Sequence, residues 1–148
     1  MHTGKDRQQK LREQNLPLAL VAGALSAISM GLGWFFLSFY AGSHLSFIAI
    51  PVSLLLAFFV HLAGKGVSPL FGWVGVLCQL ACCLFAIHLR AIDRFAEQNK
   101  ISFLEAFSFF PADPLLDWMM PVIHPLDLVF CSLSVLIAYR YSFKEEKR

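Results

Sequence analysis

The sequence predicts an all-α integral membrane protein: a four-helix bundle with an amphipathic extramembrane segment between its third and fourth helices. Three observations predict it. The chain of 148 residues is 57% hydrophobic and only 15% charged, whereas a soluble domain carries about a quarter charged residues. Its apolar residues gather in long stretches almost free of charge, and the mean hydropathy is +0.64. Lys and Arg sit at the ends of those stretches rather than on a face of their own, which is where they orient spans.

Residues 1–15 form a polar tail ahead of a transmembrane domain over 16–143. The apolar run behind the tail is too long for a signal-peptide core and lacks a small-residue cleavage site, so it reads as a retained anchor. The first span covers residues 16–39, with Pro17 where a first helical turn tolerates a missing N–H. At about 1.5 Å per residue it reaches about 36 Å, enough to cross with some tilt. The second span covers 45–63 and carries Pro51 in its first half, where a kink is expected.

The stretch Gly64-Lys65-Gly66-Val67-Ser68-Pro69 reverses the chain, with the glycine and proline punctuation of a helix connection. The third span covers 70–90, and its helical pattern continues toward Gln98. Residues 91–121 form the one sizeable extramembrane segment. There Ser102 and Glu105 have capping-box spacing, and Phe103, Leu104 and Phe107 fall on one side of the helix they open. Pro111 and Pro114 break that helix, and the apolar Leu115, Leu116, Trp118, Met119 and Met120 follow. The segment therefore lies on the membrane surface or covers the bundle. The fourth span covers 125–141, with His124, Pro125 and Asp127 at the cap, first and third positions of a helix start. A short polar tail, 144–148, closes the chain.

Counting Lys and Arg orients the protein. With both termini inside, nine lie on the inner side and three, Arg90, Arg94 and Lys100, on the outer side, which favours cytoplasmic termini. The net charge of +2 gives no reason to invoke nucleic acid. The lipid bilayer is the implied partner, and a second copy or another membrane protein is the macromolecular partner to consider.

Ala19, Gly23, Ala27 and Gly31 recur every four residues, a strip of small side chains suited to close helix packing within the monomer or between subunits. Gln79 is the most polar side chain deep in the third span. An amide in lipid needs a partner, so an interhelical hydrogen bond is expected, to a serine such as Ser132. Cys78, Cys82, Cys83 and Cys131 all lie inside apolar segments and read as small buried hydrophobes rather than a disulfide framework or a thiol-redox centre.

His44, His88 and His124 come to the outer boundary beside three helices, with Asp127 on the same side, and are the candidate metal ligands. Their spacing is not that of a metal motif, and interfacial histidine has a simple amphipathic explanation. No Asp, Glu, Lys or Arg stands near the centre of any span, where an ion or proton path would normally show one. No catalytic residue and no cofactor are assigned.

The stretches Gly64-Lys65-Gly66-Val67-Ser68-Pro69-Leu70-Phe71-Gly72, Pro125-Leu126-Asp127-Leu128-Val129-Phe130 and Tyr139-Arg140-Tyr141-Ser142-Phe143 resemble a family of small, uncharacterised bacterial four-helix membrane proteins. In that family the glycine-lysine-glycine turn opens the third helix and the proline-aspartate motif opens the last. The resemblance implies the same topology in a bacterial inner membrane and brings no activity, substrate or cofactor. The expected role is a structural or protein-interaction component. The alternative is a subunit of a small oligomeric transporter or channel, with Gln79 and serines lining a pore; a metal-binding or redox enzyme on the outer face is third.

Overall fold

The computed structural model describes residues 13–41, 46–109 and 120–143. It is all-helical, with no strand among the described residues. Helix α1 spans Leu16–Ala41 and begins at Asn15, whose Oδ1 accepts from the Leu18 N–H at 3.0 Å. The Asn15 N–H donates to the Gly64 carbonyl at 3.1 Å, so one residue caps the start of α1 and occupies an orphan carbonyl at the end of α2. A 3₁₀ turn, Ser46–Ile48, leads into α2, Ala49–Gly64. Pro51 thus falls in the first turn of α2, where N–H groups have no intrahelical partner, so its missing N–H removes no ladder bond that would cause the expected kink.

Helix α3 spans Pro69–Asn99. Ser68 caps it, its Oγ accepting from the Leu70 N–H at 3.4 Å, and Pro69 takes the first position. The helix runs past Arg90 and stops in a Schellman motif: Ile101 N–H donates to the Ala96 carbonyl at 3.1 Å and Lys100 N–H to the Glu97 carbonyl at 3.3 Å. Lys100 there has φ 53°, a left-handed conformation that disfavours a side chain by about 1 kcal/mol or more. Lys100→Gly should therefore raise unfolding stability in detergent by up to about 1 kcal/mol, while Lys100→Ala should bring no such gain.

Helix α4, Phe103–Phe109, opens with a reciprocal cap. Ser102 Oγ accepts from the Glu105 N–H at 3.3 Å, and Glu105 Oε2 accepts from the Ser102 N–H and hydroxyl, each at 2.9 Å. Those bonds, from the Ser102 backbone first and then its hydroxyl, hold the Glu105 carboxyl below the usual range. A 3₁₀ turn, Met120–Val122, and helix α5, Pro125–Tyr141, follow. Pro111, Pro114, Leu115, Leu116, Trp118, Met119, His44 and the 144–148 tail lie outside the described residues.

Helices α1, α2, α3 and α5 pack side by side, with α1 and α5 each lying against both α2 and α3. The end where α1 and α3 finish and α2 and α5 begin is termed the upper end. Leu56, Val60, Phe71, Val74 and Cys82 anchor the lower core, while Trp34, Ala49, Cys83 and Ala86 form the upper one. The outside is apolar: Leu25, Leu77 and Leu136 are 61%, 62% and 66% exposed, among many other exposed Leu, Ile, Val and Phe. An apolar surface this continuous is not one that water solvates. Three helical segments, Leu16–Ala41, Ser46–Gly64 and Pro69–Asn99, are long and apolar enough to cross a membrane.

Candidate functional site

Helix α5 is built inside out relative to a helix of a soluble protein. Its buried residues are Asp127, Ser134 and Ala138, followed just beyond its end by buried Ser142, whereas Leu126, Leu128, Val129, Leu133 and Leu136 are exposed. Steps of three, four and seven residues keep Asp127, Cys131, Ser134, Ala138 and Ser142 on one helical face. The facing side of α3 carries Gly75, Gln79, Cys83 and Arg90, at similar steps. The two helices run antiparallel, so the partners meet in reverse order: Arg90 with Asp127, Cys83 with Cys131, Gln79 with Ser134, and Gly75 with Ser142.

The upper level is ionic. Asp127 Oδ2 accepts from the His124 N–H at 2.9 Å and stands 3.7 Å from Arg90 Nη1, with the two side chains 2% and 11% exposed. The Ser46 hydroxyl donates to Asp127 Oδ1. Arg90 Nη2 donates to Ser38 Oγ at 3.1 Å, and its guanidinium carbon lies 5.8 Å from the Trp34 ring centroid, within cation–π range. One ion pair thereby ties α1, the turn before α2, α3 and α5 together. His124 completes the α5 cap, its Nδ1 accepting from the Leu126 N–H at 3.3 Å.

The middle level is neutral. Gln79, fully buried, donates from Nε2 to Ser134 Oγ at 3.0 Å and to Cys83 Sγ at 3.5 Å. Ser134 donates onward to the Cys131 carbonyl at 2.8 Å. The Gln79 Oε1 atom is buried without a hydrogen-bond partner among the described residues. At the lower level Ser142 Oγ donates to the Ala138 carbonyl at 2.6 Å, and Gly75 admits that turn closely: a Cβ there would sit 2.0 Å from Ser142 Oγ and 2.8 Å from the Ala138 oxygen.

The expected helix-packing residues have definite places. Ala19, Gly23, Ala27 and Gly31 are all buried within the chain. Gly23 faces Cys78 and Val60, and Gly31 faces Phe85 and the Cys82 carbonyl, so the chain's own helices occupy this strip. Gln79 does make an interhelical bond, but to Ser134 rather than Ser132. Ser132 is exposed on the far side of α5, where its hydroxyl returns to the Leu128 carbonyl at 2.7 Å.

Among the candidate metal ligands, His88 is half-buried on α3, His124 is spent on the cap, and both Asp127 oxygens are engaged. No group of three His, Cys, Asp or Glu side chains that could hold a metal occurs among the described residues. Arg90, Ser38, Ser46 and Ser142 carry much of the polar structure and were not singled out by sequence reasoning. The signal for Arg90 was its level: it ends the uncharged stretch of one span, and Asp127 opens the antiparallel next.

No family model, no curated protein and no solved structure matches the chain. The fold and the α3–α5 seam thus define an all-helical protein with helices fit to cross a membrane, whose inward-facing polar groups bind one helix to another.

Proposed function

We propose that the chain is a structural or protein-interaction component of a bacterial inner membrane, crossing it four times with both termini in the cytoplasm. The observation that carries this reading is the use made of the buried polar groups. Arg90, Asp127, Gln79, Ser134 and Ser142 bond across or along helices and so hold the bundle together instead of facing a path. Helix α5, with 17 residues, is about 25 Å long at the α-helical rise, slightly short of a hydrocarbon core of about 30 Å. A short span is accommodated by modest local thinning, and its apolar outside with a polar inside suits lipid. The nine-to-three division of Lys and Arg supports the orientation, and the resemblance of its turn and last-helix motifs supports the bacterial setting.

A second reading, a subunit of a small oligomeric transporter or channel, is favoured by one atom. The buried Gln79 Oε1 lacks a partner among the described residues, and such an acceptor could receive a permeating donor. Gln79→Leu separates the two. A structural role predicts a loss of about 1 kcal/mol in bundle stability and loss of whatever membrane protein co-purifies. A pore role predicts unchanged stability with lost flux in reconstituted vesicles, and that result would sink the structural reading.

A further inference from the structure

Helix α4 divides its surface into three sectors. At about 100° per residue, the order of positions round the helix is Ala106, Phe103, Phe107, Leu104, Ser108, Glu105, Phe109. Ala106 is fully buried and Phe103 half-buried, against α3 and α1. Phe107 and Leu104 come next and are 56% and 77% exposed. Ser108 and Glu105 follow and are exposed polar groups. A lid over the bundle would turn its largest apolar side chains inward, yet here a buried alanine occupies that position. A helix in water would not leave its two most apolar free positions side by side.

The exposed apolar sector also continues one that α1 already presents. The Phe103 ring stacks on Phe35 at 5.3 Å between centroids and meets Phe107 at 6.4 Å. Phe35 in turn meets Phe39 at 6.1 Å, and Phe36 and Phe39 are about half exposed at the upper end of α1. Rings thus run without a break from the outward face of a spanning helix onto α4. Glu105 and the Ser102 cap lie on the opposite side of that line.

We propose that α4 is an interfacial anchor: Leu104 and Phe107 enter the acyl-chain region of the upper leaflet while Glu105 and Ser108 face water, and the occupant of this apolar face is lipid. The inference rests on the membrane reading above and fixes where residues 103–109 sit relative to it. A helix seated this way docks the end of α3 at the level of the headgroups and holds the Arg90–Asp127 pair just beneath them.

The test is spin-label accessibility in vesicles of phosphatidylethanolamine and phosphatidylglycerol, using the full chain with its native cysteines replaced by alanine. Labels at Leu104→Cys, Phe107→Cys and the mid-span control Leu25→Cys should collide several-fold more with dissolved oxygen than with a water-soluble nickel chelate. A label at Glu105→Cys should show the reverse. If Leu25→Cys meets nickel, the membrane reading itself fails. If Leu25→Cys is lipid-exposed while Leu104→Cys and Phe107→Cys meet nickel, or are shielded from both probes by protein, the anchor is overturned. Should the cysteine-free chain not fold, benzoylphenylalanine at Leu104 or Phe107 in the native chain separates the same outcomes: a lipid adduct by mass is expected, and a protein adduct, or none where Leu25 yields lipid, overturns the proposal.

Discussion

Asp127→Ala is expected to lower the stability of the detergent-solubilised protein by about 3–5 kcal/mol, the penalty of leaving a buried charge without its partner. The carboxylate is nearly inaccessible and opposes an Arg90 side chain that is 11% exposed. Its loss also removes the acceptor for Ser46 and for the His124 N–H at the head of α5. The measurement is a reversible unfolding midpoint in a mild detergent. Combining Arg90→Met with Asp127→Asn removes both charges and keeps an oxygen that can accept from the His124 N–H, so it should recover at least half of the loss. A double variant as unstable as the single one would show that an unpaired buried charge is not what destabilises Asp127→Ala.

The second large effect is steric. Gly75→Ala should destabilise by about 1–3 kcal/mol, because the new methyl would meet the Ala138 carbonyl at 2.8 Å as well as the Ser142 hydroxyl. The carbonyl is backbone and moves only if α5 moves. Gly23→Ala should be milder, since its closest neighbour is the Cys78 sulfur, at 2.6 Å, which can rotate away. Gly33 has nothing within 4 Å, so Gly33→Ala should stabilise, by about 0.5–1 kcal/mol from helix propensity alone. Equal effects at Gly75 and Gly33 would mean that α3 and α5 do not approach as closely as these distances require.

The contrast between those glycines shows what the sequence could and could not reveal. Gly75 and Gly33 look alike in a string of apolar residues, and only the neighbouring helix distinguishes them. The long uncharged runs made α1, α2 and α3 legible, because a backbone in hydrocarbon has to satisfy itself locally. The Ser102–Glu105 and His124–Asp127 starts were legible for the same local reason.

Partners across helices were harder. Gln79 bonds Ser134 and not Ser132 because of the rotation of α5, which apolar periodicity alone does not set. Asp127 could have set it: a seven-residue step from a buried aspartate leads to Ser134, while five residues lead to the opposite face. In the sequence Arg90 reads only as an orienting charge, since pairing it with Asp127 needs two helix ends known to share a level. The strip at Ala19, Gly23, Ala27 and Gly31 was visible as a packing face, but what it packs against was not.

The reversed order of partners along α3 and α5 has a consequence for biosynthesis. A ribosome delivers Gln79 and Arg90 long before it delivers Ser134 and Asp127, so a nascent chain released into lipid after α3 would carry an amide and a guanidinium still lacking their α5 counterparts. Such an intermediate is best retained beside the insertion machinery until the last helix emerges. Chains truncated before Pro125 should accordingly be recognised as incomplete and degraded, even though all three of their longest apolar helices are intact.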